Sequence, residues 1–336
     1  MKKAMIIIFS VVLIVNIGSG IASENEKLAQ TGFQFLSVVS DARASGMAEA
    51  MTSLETGSSA LFFNPAGMAN MEGLIDISAS DNQWIADIRH NTFSLALNLA
   101  NGEYGVLGFS LQTVDYGDFY GTRVDKSTDL GYVDTEIFKL TAMAAGVGYA
   151  KRLTDRFSVG GQVRWVEQDL GKSIIPVIST DLDTTEGETE NSLTPLAFDF
   201  GTQFKTGFKS LVFGMSVRNF SKEIKYVEEG FQLPLVFNLG ISMDVLDFME
   251  PGTIDHSLLL SLDASHYRSH AEQIKVGLDY QLMHLLSIRG GYITNNNESG
   301  LSFGVGVHSY GLGLDYAYTP FGVFDKVQRM TARFSL

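Results

Sequence analysis

Few residues in this chain are spaced for chemistry. His266 and His270 stand four apart, a spacing that would hold a metal on one face of a helix. They fall between two alternating stretches, however, and read as part of a loop, with no glutamate placed as the base of a zinc peptidase. The glycine-rich run Gly304 to Gly313 has a superficial likeness to a nucleotide loop, but its glycines alternate within two strand-like stretches. No helix follows to offer N–H groups to a phosphate. The chain has no cysteine, which excludes a thiol nucleophile, a disulfide framework and a lipoprotein anchor. There is no Gly-x-Ser-x-Gly elbow. His90 and His266 fall in expected surface loops without a paired Ser or Asp motif, so no lipase or protease site is indicated. Acidic residues gather in 169–196, where Asp169, Asp181, Asp183, Glu186, Glu188 and Glu190 are opposed only by Lys172. Lacking the Asp-x-Asp-x-Asp-Gly spacing, this segment reads as a solvated loop, with calcium or partner binding as the sharper alternative. The expectation is a non-enzyme without cofactor or metal.

What must the chain do instead? Its 24 Lys and Arg against 38 Asp and Glu give a net charge of -14, which is wrong for nucleic acid. Lys2 and Lys3 precede an apolar run from Met5 to Val15 broken only by Ser10, and Gly20 and Ala22 are small residues at a plausible cleavage site. Residues 1–22 therefore read as a signal peptide, too short for a membrane helix. Hydrophobic residues make up 45% of the chain, yet no second run approaches membrane-helix length. Strands resolve this, since they cross a membrane with apolar residues at every second position only.

That alternation persists after residue 74. Phe93, Leu95, Leu97 and Leu99 share one face, against Thr92, Ser94, Ala96 and Asn98. Ile274, Val276, Leu278 and Tyr280 oppose Lys275, Gly277 and Asp279. Apolar faces suit lipid, and small or charged faces suit a polar lumen. Segmenting on this pattern gives strands near 74–80, 92–99, 104–114, 138–149, 157–168, 197–204, 211–219, 236–243, 257–264, 273–281, 285–293, 301–308, 310–318 and 327–336. About fourteen strands is an even number, as a single-chain bacterial barrel requires. Long and short links alternate between them, as surface loops and tight turns would. The exception is 244–256, too long for a turn and expected to hold a short helix or a contact surface. Aromatic residues such as Trp84, Tyr104, Tyr149, Trp165 and Tyr318 lie near strand ends, where interfacial girdles would put them. The fold class expected is all-β: a transmembrane antiparallel barrel spanning 74–336, in the outer membrane.

Residues 23–73 do not alternate. They hold Phe33, Phe35 and Leu36, then Asp41, Ala42, Arg43, Ala44, Ser45, Gly46 and Met47, then an expected short helix through Leu54. Phe63, Asn64, Pro65, Ala66 and Gly67 follow, with Pro65 and Asn64 forming a stop before the first strand. The apolar residues call for packing somewhere dry, so the segment is expected to sit in the periplasm or to fold into the lumen as a plug. Asp41 and Arg43 read as a partly buried charge pair or a helix cap. The two motifs together resemble the N-terminal signature of the PorV/PorQ family, barrels related to the FadL hydrophobic-solute transporters. The resemblance implies an outer-membrane barrel with an N-terminal hatch, whose signature positions here are Asp41, Arg43, Gly46, Asn64, Pro65 and Gly67.

Two functions follow as expectations. The PorV side of the resemblance implies a type IX secretion role, in which the barrel meets secretion-machinery subunits and shuttles secreted cargo proteins. The FadL side implies passive transport of long-chain fatty acids or other hydrophobic small molecules. Either would use apolar residues in the long loops 115–137, 169–196 and 220–235: Phe119, Tyr120, Ile174, Ile175, Val177, Ile178, Tyr226 and Phe231. A general porin fits less well, because a hatch would obstruct a wide aqueous pore.

Overall fold

The computed structural model describes residues 31–178, 184–226, 229–249, 255–296, 299–324 and 326–336. The expected signal peptide lies outside them. The strands are β1 Ile75–Gln83, β2 Arg89–Asn98, β3 Val106–Val124, β4 Tyr132–Arg152, β5 Phe157–Ile178, β6 Thr184–Leu193, β7 Leu196–Lys205, β8 Val212–Phe220, β9 Ile224–Lys225, β10 Gly230–Phe231, β11 Val236–Asp244, β12 His256–Tyr267, β13 Gln273–Leu282, β14 Leu286–Ile293, β15 Leu301–Ser309, β16 Leu312–Pro320 and β17 Lys326–Ser335. Among the described residues, 14 of these close an antiparallel barrel, all except β6, β9 and β10. Each pairs with the next, and the last returns to the first, from Asp76↔Ser335 to Gln83↔Gln328. Every strand expected from the alternation has its counterpart.

The wall follows from the period of two. Along β16, residues are exposed and buried in strict alternation. Its outward Leu314 is 64% exposed, as is Ile288 on β14. Phe93, Phe109, Val163, Phe200 and Leu239 continue this apolar surface around the barrel. A nine-residue strand such as β1 spans about 30 Å before tilt, which matches a hydrocarbon layer. Soluble monomers rarely expose continuous apolar surface on this scale. No helix among the described residues is long and apolar enough to cross a membrane.

Two expected loops are strands. β3 and β4 stay paired to Val124↔Tyr132, and β5 runs to Ile178 before folding back as β6. The β4–β5 pairing stops at Thr141↔Asp169, so both hairpins stand free above the wall. Register shifts mark the departure, between Asp115 and Asp118 and between Asp169 and Lys172. Each contains a left-handed glycine, Gly117 at φ 78° and Gly171 at φ 76°, as in a bulge that re-aims a strand. Lipid and core no longer differ on the two faces there. The alternation fades while the ladder persists.

Three further expectations need correction or completion. His90 is on β2, points inward and is 2% exposed; Arg89 and Asn91 carry the outward alternation. His266 is on β12 and meets Glu272 at 3.0 Å, so it makes a strand-end hydrogen bond and does not lie in a loop. The long link after β11 holds a 3-10 turn, Val245–Phe248, capped by Asp244. The Asp247 carboxylate accepts from Ser210 N and Oγ at 2.8 and 2.5 Å, so this link braces the neighbouring turn.

The N-terminal segment packs against the inward face of the wall. The one α-helix among its described residues, α1 Ala42–Gly46, is shorter than expected: Ala48 and Glu49 take positive φ of 52° and 63° and end it well before Leu54. Three 3-10 turns, Gln34–Ser37, Gly57–Phe62 and Pro65–Met68, complete its described part. Phe33, Phe35 and Leu36 pack with Val114, Val166 and Leu233, and Leu61 and Met68 with Val106 and Ala150. The wall makes room with glycines. A Cβ on Gly214 would strike the Thr52 carbonyl, and one on Gly277 the Met47 carbonyl.

Candidate functional site

The inward charges of the wall are matched to the N-terminal segment. Asp41 caps α1, its Oδ1 accepting from Ala44 N at 2.7 Å. Arg43 reaches the wall, with Nη2 at 3.2 Å from Asp279 Oδ2. Asp279 also meets Arg289 at 3.2 Å, and Arg289 meets Asp315 at 2.5 Å. Of the two roles expected for Asp41 and Arg43, the cap holds, while the charge pair is made with Asp279 instead. Gly46 lies on Gly304, where a Cβ would be only 3.0 Å from the Gly304 Cα.

Beyond α1, Glu49 accepts from Lys275 Nζ at 2.7 Å, and Lys275 donates to Tyr267 Oη at 2.8 Å. Thr52 N and Oγ1 donate to Asp263 at 2.9 and 2.6 Å. Burial raises the Asp41 carboxyl above its usual range, against the Ala44 N–H. Burial also opposes ionisation of Glu49, but the charge and hydrogen bond of Lys275 outweigh it and hold that carboxyl low. A lowered folded pKa stabilises above the unfolded value and is lost as pH falls through the folded one. The Glu49 anchor is therefore complete at neutral pH and released by acid.

The second motif is a strap. Asn64 Oδ1 accepts from Ala66 N at 3.1 Å, and Nδ2 donates to Thr52 O at 2.7 Å and to Thr202 O of the wall at 3.0 Å. Pro65 opens the 3-10 turn, where its missing N–H costs nothing. Gly67 lies against the Leu54 carbonyl, with no room for a Cβ. Asn64→Ala removes a cap and takes a donor from the buried Thr52 carbonyl and from the half-buried Thr202 carbonyl. It is expected to lower stability by about 2–4 kcal/mol, measured by urea unfolding in micelles.

Two sizeable cavities lie in the lumen, one toward each end, with Ser45 of α1 in one lining and Arg43 of α1 in the other. The larger, ≈ 530 Å³, lies at the end carrying the long loops. Its apolar wall is Trp84, Phe321, Ile293, Val38 and Val39; its polar wall includes Ser45, Glu49, Tyr267, Gln273 and Arg329. The Trp84 and Phe321 rings meet edge-on at 4.9 Å. Arg329 stacks 5.5 Å over Trp84 and donates to Val39 O at 2.8 Å. The other cavity opens at the end carrying the chain's C-terminus, with Arg43 in its lining.

The loop residues singled out from sequence divide. Phe119 and Tyr120 lie on the β3–β4 hairpin, 38% and 77% exposed, with Phe119 stacked on Phe138 at 5.8 Å. Tyr226 and Phe231 stack on each other at 5.5 Å, and Phe231 packs on Phe33 at 6.2 Å. These two close over the N-terminal segment and do not project outward. Ile174, Ile175, Val177 and Ile178 are on β5; their side chains fall outside the described residues. From sequence, Lys275 and Asp279 read only as part of a polar lumen face, and Glu49, Arg289 and Arg329 were not singled out. Their signal was present: a charge at an inward position of an amphipathic strand demands a buried partner.

No family model and no curated relative matches the chain. Solved structures do. The toluene transporter TbuX of Ralstonia pickettii matches with a TM-score of 0.54 at 13% identity, over 87% of this chain and 96% of that one. The CymD monoaromatic hydrocarbon channel matches with 0.54 at 11% identity, over 88% and 97%. A Pseudomonas aeruginosa FadL homologue matches with 0.50 at 13% identity, over 88% and 98%. The closed barrel described above thus has the overall fold of these three proteins.

Proposed function

We infer that this chain is an outer-membrane channel that passes small hydrophobic molecules down their gradient, with residues 31–73 as a hatch in its lumen. The observation that carries this reading is the cavity at the loop end. It offers an aromatic wall of Trp84 and Phe321 above a lumen filled by the N-terminal segment, in a fold shared with a toluene transporter and a hydrocarbon channel. A filled lumen opposes bulk water and ions, while a pocket of this size with an apolar wall suits a small hydrophobic solute. The solute meets aromatic surface first and then the α1 partition. Deleting the gene is expected to slow uptake of a labelled hydrophobic solute, toluene or a fatty acid, at least fivefold. Re-expression should restore it. Uptake unchanged by deletion would defeat the reading.

The β3–β4 hairpin favours a second reading, the PorV/PorQ role in type IX secretion. Its Phe119–Phe138 stack and exposed Tyr120 stand clear of the wall, as an apolar docking surface for secreted cargo would. Under that reading, a double Phe119→Ala, Tyr120→Ala variant releases cargo from the cell surface while solute uptake is unchanged. A genome without type IX machinery rules it out.

A further inference from the structure

The cavity at the C-terminal end has no role in the reading above. It measures ≈ 320 Å³ and is lined by Arg43, Arg289, Arg333, His284 and His308, with the Tyr310 turn at its mouth. No carboxylate is among its described lining residues. The acids lie beneath. Asp279 and Asp76 expose none of their side-chain surface, and Asp315 exposes 4%. They hold the basic side chains from below: Arg43 to Asp279 at 3.2 Å, Arg333 to Asp76 at 2.8 Å, His308 to Asp315 at 3.5 Å. Arg43, Arg333 and His308 still expose 18%, 24% and 32% of their side chains. His284 meets Asp255 at the rim, 3.2 Å away.

A guanidinium carries five N–H donors in a planar fork. One carboxylate does not use all of them. Arg43 Nε and Arg289 Nη2 are buried without a hydrogen-bond partner. The result is a layered arrangement in which buried acids fix the guanidiniums while the exposed parts of Arg43 and Arg333 border the cavity. Phosphate and carboxylate are the groups that guanidinium forks bind bidentately. The acids below cancel much of the net charge, so binding is short-ranged and weak, in the millimolar range.

We propose that this cavity binds an oxyanion, a carboxylate or a phosphate, either free or as the head group of an apolar molecule. The assignment is independent of the channel reading, since it concerns occupancy and not passage.

The test uses the full chain in nonionic micelles, labelled with ¹⁵N-histidine and titrated with hexanoate, inorganic phosphate or hexan-1-ol. His284 and His308 are assigned by His284→Gln and His308→Gln. Hexanoate or phosphate is expected to shift both resonances saturably, while His90 and His270, outside the cavity lining, stay still. A larger response to hexanoate identifies a head-group site, and an equal or larger one to phosphate identifies a free-oxyanion site. Arg333→Lys keeps the charge over Asp76 but loses the fork, and is expected to weaken binding at least threefold with the spectrum otherwise native. The proposal is overturned if neither anion moves these histidines, if hexan-1-ol moves them equally, or if Arg333→Lys binds as the parent does.

Discussion

Asp279→Ala is expected to destabilise the protein by about 3–5 kcal/mol and to open the lumen to ions. Asp279 is wholly buried on β13 and faces two guanidiniums, Arg43 of α1 and Arg289 of β14, each at 3.2 Å. Removing the carboxylate leaves the buried Arg289 and the half-buried Arg43 repelling each other with one remaining counter-ion, Asp315. Burying unpaired charge costs more than the lost attraction alone. The least costly relaxation is for Arg43 to leave for water, and α1 must go with it. Because α1 lines both cavities, its departure joins them. Urea unfolding in micelles should give a lower midpoint, and planar bilayers should show conductance steps several-fold above the parent. Asp279→Asn keeps the shape and loses the charge, so it should fall between the two. Parent-like conductance with a lowered midpoint would mean that α1 is not the partition.

The second large effect comes from a residue with no side chain. A Cβ at Gly277 would overlap the Met47 carbonyl and crowd its Cβ, and neither the wall nor the turn after α1 has slack to yield. Gly277→Val is therefore expected to cost about 1–3 kcal/mol as overpacking and to displace Met47 inward. Conductance should rise as it does for Asp279→Ala. Gly290 supplies the control. It is next to Gly291 on β14, yet nothing lies within 4 Å of its added Cβ. Gly290→Val should be neutral or slightly stabilising, since valine suits a strand better than glycine. Equal behaviour of the two variants would show that the Gly277 contact carries no weight.

The wall was legible because its physics is periodic. Lipid outside and packed polar residues inside impose a period of two that no turn or loop imitates, and each barrel strand followed from it. The hairpins above the wall were not legible. Both faces of 118–139 meet water, so the sequence there carries no alternation to read, while the ladder hydrogen bonds that make it strand belong to the backbone. The inward face was read as lining a polar lumen. Small and charged residues look alike in sequence whether they meet water or another segment, and only the structure shows Gly214 under Thr52 and Lys275 on Glu49. His90 was placed in a loop because Arg89 and Asn91 flank it with polar character; outward polar residues at a strand end imitate a loop.

The two N-terminal motifs were visible, and their local roles followed from residue type. An aspartate before a helix and an asparagine before proline are both caps. Their tertiary partners, Asp279 and Thr202, lie more than a hundred residues away and follow no local rule. Phe231 and Tyr226 were singled out for being apolar in a loop. That property is equally suited to covering Phe33 as to greeting a ligand.

The most direct test of the channel account is flux through the purified protein in liposomes. A hydrophobic solute such as toluene should equilibrate faster with protein present, and Trp84→Ala, which strips the aromatic wall of the loop-end cavity, should slow it several-fold. Potassium flux in the same vesicles should stay at background. Solute equilibration no faster than in empty vesicles, or potassium flux matching that of an open porin, would contradict it.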